Sequence, residues 1–233
     1  LFIGGKIANH RSILRRFLRD HHPDETITEE IENSICLLKR ELGMLPHQHT
    51  RLEIMGVEGY SANIYFGVFK HLILNPEFQF EKRSKRPPKD EVNALLSFFY
   101  TLLAHDVRAA LETVGLDAYV GFLHTDRPGR PSLALDLMEE LRGYLVDRFV
   151  LSVINKRQIN KQDFIAQGEN GYLIHEDTRK ELISLWQKRK KDVITHPFLQ
   201  EKIPIGLLPY AQAQLLSRFL RGDLDNYPVF LIT

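Results

Sequence analysis

The 233 residues carry 31 Lys and Arg against 30 Asp and Glu, a formal net charge of +1, with 43% hydrophobic and 26% charged residues. That balance excludes a low-complexity or disordered chain and gives apolar material for one large globular domain or two small ones. A single cysteine, Cys36, excludes an internal disulfide and points to a reducing compartment, and no apolar run approaches the ~20 residues that cross a bilayer, so a cytoplasmic protein without a membrane partner is expected.

The chain opens LFIGGKIAN, with no initiator methionine and no signal-peptide pattern, and reads as a piece or processed form of a longer protein. Helical periodicity runs from about Ile7 to Arg19 and from about Thr28 to Leu42, with DHHPDET between. LEIMGVEGYSANIYFGVFKHLI (52–73) is apolar almost all round, which predicts a buried central helix. Gly56, Gly59, Ser61 and Ala62 would let neighbouring backbones approach it closely. FQFEKRSKRPPKD (78–90) reads as a loop ended by paired prolines, with Asp90 placed to cap the next helix.

That helix runs from about Glu91 to Val114, carries Leu95, Phe98, Phe99, Leu102 and Leu111, and stops at Gly115. HTDRPGRP follows, then a helix from about Ser132 to Asn155 with Ser132 as its N-cap. FIAQGENGYLI (164–174) carries a hairpin signal with Asn170-Gly171 at the turn. A basic helix (about 177–193) and a last helix (about 209–221) precede YPVFLIT. Trp186 and the aromatics of SFFY read as core rather than as stacking platforms. The expected fold is mainly α: one multi-helix domain with at most a small β-hairpin.

The near-zero net charge hides clustering. KRSKRPPK (82–89) holds five cations, QKRKK (187–191) four, and HRSILRRFLR (10–19) four arginines. Such patches suit phosphates, although each is equally readable as a solvated charged face.

The chemistry-bearing candidates are acids and a histidine. At about 100° per residue, Asp136, Glu139, Glu140, Gly143 and Asp147 share one stripe, while Ala134, Met138, Leu141, Leu145 and Phe149 lie opposite and are expected to pack on the core. Proximity to a helix N-terminus would by itself explain Asp136 or Glu139. Glu58 sits in IMGVEGYSANIYFGVF with no opposite charge nearby in sequence, so it needs a cation, a hydrogen-bond network or a metal. His124 follows the apolar YVGFL and is open to a structural reading. Together, Glu58, His124 and a glutamate on the following helix would make an oxygen/nitrogen/oxygen set suited to Mn²⁺ or Mg²⁺; the Cys/His pairs of structural zinc are missing.

GVEGYSA around Glu58, RPPKDEVNALLSFFYTLL (86–103), GFLHTDRPGRPSLALDLMEELR (121–142) and GKIANHR (5–11) resemble the CRISPR-associated integrase that captures new spacers. This is the founding family of CRISPR-associated proteins, also described as a metal-dependent endonuclease, and the resemblance covers nearly the whole chain. It implies that Glu58, His124 and Glu139 are the catalytic, metal-ligating residues for Mn²⁺ or Mg²⁺, with Asp136 supporting them. Arg127 and Arg142 match basic positions suited to phosphate, and Lys85 and Arg86 are assigned with them to DNA. Family members carry a small β-rich N-terminal domain that is not visible before GGKIAN, so residues 1–233 are expected to be the C-terminal helical catalytic domain.

The implied reaction is attack of a DNA 3′-hydroxyl on a phosphodiester at a CRISPR repeat boundary, in a prokaryotic cytoplasm. The implied partners are double-stranded DNA (spacer precursor and repeat), a second copy in a homodimer, a small ferredoxin-like adaptation protein and, from the NYPVF ending among other stretches, a RecB-nuclease-like companion. Two other classes stay open: a non-catalytic DNA-binding scaffold subunit, and a metal hydrolase of small phosphorylated compounds with an enclosed pocket.

Overall fold

A computed structural model describes residues 1–125 and 127–232. Helices α1 (Phe2–His21), α2 (Glu25–Met44) and α3 (Arg51–Val68) pack in sequence, α1 on α2 and α2 on α3. Asp24 caps α2 by accepting from Ile27 N at 2.9 Å. Thr50 and Glu53 form a capping box at the start of α3.

The expectation of a buried central helix over 52–73 is not met. In α3 only Ser61, Tyr65 and Val68 are buried, whereas Leu52, Met55 and Tyr60 are 74%, 43% and 46% exposed. A Cβ added at Gly56 or Gly59 would meet nothing within 4 Å, so neither glycine serves a close approach. Only the C-terminal end of α3 enters the core, where Tyr65 stacks on His10 of α1 at 3.7 Å between ring centroids.

Helix α4 (Glu91–Thr113) begins at Asp90, which accepts from Asn93 N at 2.6 Å, and ends where Gly115 turns at φ 80°. By length and composition α4 is long and apolar enough to cross a membrane, contrary to the reading of the sequence. Its Leu95, Leu96, Phe99, Leu103, Val107 and Leu111 are fully buried against the rest of the chain. Phe99, Phe149 and Trp186 meet with centroids 4.8–5.3 Å apart, as the core reading of Phe99 and Trp186 requires, whereas Tyr100 lines a cleft.

The expected helix from Ser132 is a composite: α5 (Ser132–Leu137), α6 (Glu139–Leu141), a π-helical turn over Arg142–Asp147, and α7 (Arg148–Asn155). Its N-cap is Pro131, not Ser132, whose hydroxyl donates instead to Thr125 O at 3.0 Å. Nor does the composite carry an acidic face opposite a packed one. Asp136, Glu139, Glu140 and Asp147 are all at most 3% exposed, as are Leu137, Leu141, Val146 and Val150. It is surrounded, and each acid meets its own partner.

Strands β1 (Phe164–Ala166) and β2 (Tyr172–Ile174) form the expected hairpin, but residues 167–171 link them through a short 3₁₀ turn rather than a two-residue Asn-Gly turn. Helix α8 (Glu176–Lys190) follows. A second antiparallel pair, β3 (Val193–Thr195) with β4 (Lys202–Pro204), falls where no strand was expected. Helix α9 (Leu208–Leu220) precedes the C-terminal segment.

That segment is pinned from within. Glu140 Oε1 accepts from Tyr227 Oη and Gln212 Nε2, each at 2.6 Å, and Oε2 from Phe230 N at 3.3 Å. Asn9 Nδ2 donates to Phe230 O and to Glu140 O at 2.9 and 2.7 Å, while its Oδ1 accepts from Ile232 N at 2.8 Å. Glu140→Ala strands two buried donors, the Tyr227 hydroxyl and the Phe230 amide, while Gln212 keeps Tyr227 Oη and Pro228 O, so a loss of about 3 kcal/mol in urea denaturation is expected. Amide exchange over 227–232 should rise before the rest of the molecule opens; protection there equal to wild type would show that the acid does not hold the segment.

Candidate active site

Glu58 finds its compensating charge 52 residues earlier, on the first helix. Lys6, on α1 and 5% exposed, makes a very short ion pair with Glu58 Oε1 and lies 2.8 Å from Glu139 Oε2. Glu139 Oε1 is held by Arg142 Nη2 at 2.9 Å, one turn further along. Burial pushes the Glu139 carboxyl up, but Arg142 and Lys6 together outweigh it and hold the acid below the usual carboxylate range. Arg142 in turn lies 5.0 Å over the Tyr100 ring, whose hydroxyl donates to Asp147 at 2.5 Å. The π turn thus delivers both Arg142 and Asp147 inward.

His124 stands on a loop built around Asp136. The carboxylate of Asp136 accepts from the backbone N of Phe122 and Leu123 through Oδ2 (2.6 and 2.8 Å) and of His124 through Oδ1 (3.0 Å), and Oδ1 also meets His124 Nδ1 at 2.5 Å. Gly121 permits this: a Cβ there would fall 2.7 Å from Ser132 Cβ and 3.0 Å from Asp136 Oδ2. Next along, Arg127 O accepts from Arg130 N at 2.9 Å across Pro128 and Gly129, with Gly129 at φ 74°; proline then glycine suits such a turn. With Nδ1 tied to a carboxylate, the imidazole keeps Nε2 for a ligand, the arrangement that orients metal-binding histidines.

A cleft of about 870 Å³ opens beside these groups. Lys85 and Arg86 come to it from the 82–90 loop, Arg108 from α4, Arg127 and Arg130 from the turn, and Arg142 from the composite helix, with His124 also on its wall. Among the described residues lining it none is acidic. Burial and the neighbouring charges of Arg142 and Lys6 draw the Lys85 ammonium below its ordinary range.

The expected residues are therefore brought together in part. Glu58 and Glu139 meet across Lys6, and Arg142 joins them; Lys85, Arg86 and Arg127 line the cleft; His124 is bound to Asp136. Among the described residues no three His, Cys, Asp or Glu side chains stand close enough to enclose a metal. The donor set still fits a hard divalent cation. Glu139 Oε2 is buried with Lys6 beside it yet without an aligned hydrogen bond, which leaves it a lone pair, and His124 is oriented through Nδ1. Sequence reasoning missed Lys6, Arg108, Arg130 and the Tyr100–Asp147 pair. Lys6 lay within GKIANHR, and Arg130 in the turn itself; nothing local marked Tyr100 or Arg108.

Residues 1–188 match the family described as "CRISPR associated protein Cas1". A protein of Rhodospirillum rubrum named CRISPR-associated endonuclease Cas1 2 is 52% identical over 96% of this chain and 67% of its own length. A CRISPR-associated exonuclease Cas4/endonuclease Cas1 fusion of the same organism is 38% identical over 97% of this chain and 39% of its own length. A chain of a solved structure titled "Partial Cas6-RT-Cas1--Cas2 complex" superposes with a TM-score of 0.81 at 25% identity, covering 99% of this chain and 66% of that one. The chain thus spans about two thirds or less of the length of these similar proteins.

Lys6→Met leaves Glu58 without its cation and Glu139 with Arg142 alone. Because Arg142 remains and Glu58 is partly exposed, the expected cost is about 2 kcal/mol, less than that of breaking a fully buried pair. Chemical denaturation reads this directly, and a midpoint equal to wild type would remove Lys6 from the site.

Proposed function

The chain belongs to the Cas1 family of CRISPR-associated proteins, and from that premise we propose that it is a catalytic helical domain for DNA strand transfer with Mn²⁺ or Mg²⁺. The observation that carries this reading is the cleft: seven Lys and Arg side chains and no described acid line a groove with His124 on its wall, beside the Glu58–Lys6–Glu139 cluster. A groove of one sign, open rather than enclosed, fits a polyanion better than a small phosphorylated compound.

In the proposed reaction a DNA 3′-hydroxyl gives up its proton to solvent as its oxygen forms a bond to the phosphorus of a target phosphodiester. The bond from that phosphorus to the target strand's 3′-oxygen breaks, and the departing oxygen takes up a proton. With water as attacker the same site hydrolyses DNA. Lys85, Arg86, Arg108, Arg127 and Arg130 grip backbone phosphates and fix the strands without reading bases. Glu58, Glu139 and His124 Nε2 would hold the divalent cation, which supplies stabilisation of the charge on the phosphoryl and leaving oxygens. Arg142 keeps Glu139 ionised, and Asp136 keeps the imidazole oriented. His124 is assigned to ligation and not to proton donation, since one nitrogen cannot do both.

The partners follow from the names that similar proteins carry. The Cas1–Cas2 complex supports a small ferredoxin-like adaptation partner for this chain, and the Cas4/Cas1 fusion supports a RecB-nuclease-like companion. Homodimerisation and capture of spacer-precursor DNA belong to the same proposal.

Two measurements test it. Strand transfer on a branched DNA with Mn²⁺, wild type against Glu139→Ala, should require both the metal and the glutamate; metal-dependent transfer that survives Glu139→Ala would sink the site. Asp136→Ala should weaken Mn²⁺ binding, read by calorimetry without DNA, by roughly 10–100-fold. Unchanged affinity would mean that His124 is not a ligand.

A further inference from the structure

The loop over 82–90 brings Lys85 and Arg86 to the cleft, yet its sequence, KRSKRPPKD, contains only charged residues, one serine and two prolines. Its five cations repel one another, and it has no large apolar side chain to anchor it. Left to itself, such a segment would lose much conformational entropy on meeting DNA.

Two devices outside the loop hold it. The first is Asn93, in the first turn of α4 and fully buried. Its Oδ1 accepts from Ser84 N at 2.9 Å and from Arg83 Nη1 at 2.7 Å. Its Nδ2 donates to Lys82 O at 2.9 Å and to Asp90 Oδ2 at 2.6 Å. One amide side chain thereby ties the start of the loop to its end. Arg83 is held inward by this work: its Nη2 donates to Ser97 Oγ at 3.0 Å, and its guanidinium lies 5.5 Å over Tyr100. Ser84 Oγ then closes the loop by accepting from Lys89 N at 2.9 Å.

The second device is the β1–β2 hairpin. Tyr172 N donates to Pro88 O at 3.0 Å. Gly171, at φ 83°, backs so closely on the prolines that a Cβ would fall 2.2 Å from Pro88 O and 2.9 Å from Pro87 Cβ. Only glycine fits there, on both conformational and steric grounds.

We propose that Asn93 and the Gly171–Tyr172 corner of the hairpin are positioning residues for nucleic-acid binding, clamping the 82–90 loop so that Lys85 and Arg86 meet backbone phosphates already in place. Neither touches DNA; both act through the two cations. The inference rests on the reading of the cleft as a DNA groove.

The test is fluorescence anisotropy of a labelled duplex with single-stranded 3′ ends, titrated over a range of KCl concentrations. Wild type is compared with Asn93→Ala, with the Lys85→Ala/Arg86→Ala double variant, and with the triple variant. Asn93→Ala should bind on the order of tenfold more weakly and lower the slope of log K against log salt by about two, as two lost phosphate contacts require. The triple variant should bind no more weakly than the double. Mn²⁺ binding should stay at the wild-type value in Asn93→Ala, which a merely unfolded variant would not manage. Gly171→Ala, acting from the hairpin on the other side of the loop, should give the same weakening if Asn93→Ala fails to fold.

Losses that add fully in the triple variant would overturn the clamp and leave the groove standing. So would wild-type binding by both Asn93→Ala and Gly171→Ala beside a weak double variant. Wild-type affinity and slope in the Lys85→Ala/Arg86→Ala protein would instead remove the groove reading at this wall, and the clamp with it.

Discussion

Much of this fold follows from one electrostatic constraint: a single composite helix carries Asp136, Glu139, Glu140 and Asp147 into the interior, each at most 3% exposed. A buried carboxylate must be neutralised, paired or fully hydrogen-bonded. Each of the four recruits a different remote segment. Asp136 gathers the 122–124 backbone, Glu139 takes Lys6 and Arg142, Glu140 takes the C-terminal segment, and Asp147 takes Tyr100 of α4, with His10 at 3.6 Å. On α1, Lys6, Asn9 and His10 recur at helical spacing and meet the composite helix in the same chain order, so α1 docks as its polar counterpart as well as through its apolar side. The apolar core fills the space between these ties, but the ties fix which segments adjoin.

The same constraint separates two neighbouring glutamates into different chemical species. Glu139 faces two cations and is held ionised. Glu140, one residue on, accepts from the neutral donors of Tyr227, Gln212 and Phe230, and burial outweighs them and lifts it to about 7. An environment that drives adjacent acids apart in this way assigns their roles: Glu139 is a standing negative charge able to attract a cation, and Glu140 is a structural acceptor. The Lys6 ammonium and a divalent cation draw on the same carboxylates of Glu58 and Glu139, so α1 belongs to the site as much as the helix that carries the glutamate.

What the sequence made legible was what local spacing controls. Helices α1, α2, α4, α8 and α9 stand close to where periodicity and caps put them, and Asp90 and Gly115 bound α4 as read. The demand of Glu58 for a compensating charge was also legible, because an acid in so apolar a stretch has few options. The identity of that charge was not, since Lys6 lies far away in sequence. The acidic stripe failed for a geometric reason: a π turn breaks the 3.6 period on which the wheel depends, and burial on every side removes the contrast between faces. Helix α3 departs from expectation because an apolar run does not by itself imply burial: Ile54 and Val57 pack against the core and Glu58 meets Lys6, but Leu52, Met55 and Tyr60 on its other side face outward.

Runs of positive charge show the same difference between composition and placement. QKRKK spends Lys190 on Asp106 and Arg189 on Asp192, at 2.8 and 2.7 Å, and contributes nothing to the cleft. KRSKRPPK faces the cleft, but its first arginine is turned inward onto Asn93, Ser97 and Tyr100. A guanidinium whose two terminal nitrogens are already held by the protein offers little to a phosphate; a lysine and an arginine on a braced loop offer much more, because less freedom remains to be lost when the phosphate arrives. The count of cations in a basic stretch therefore sets the possible field, while the hydrogen bonds each one has already made decide which of them a strand of DNA can use.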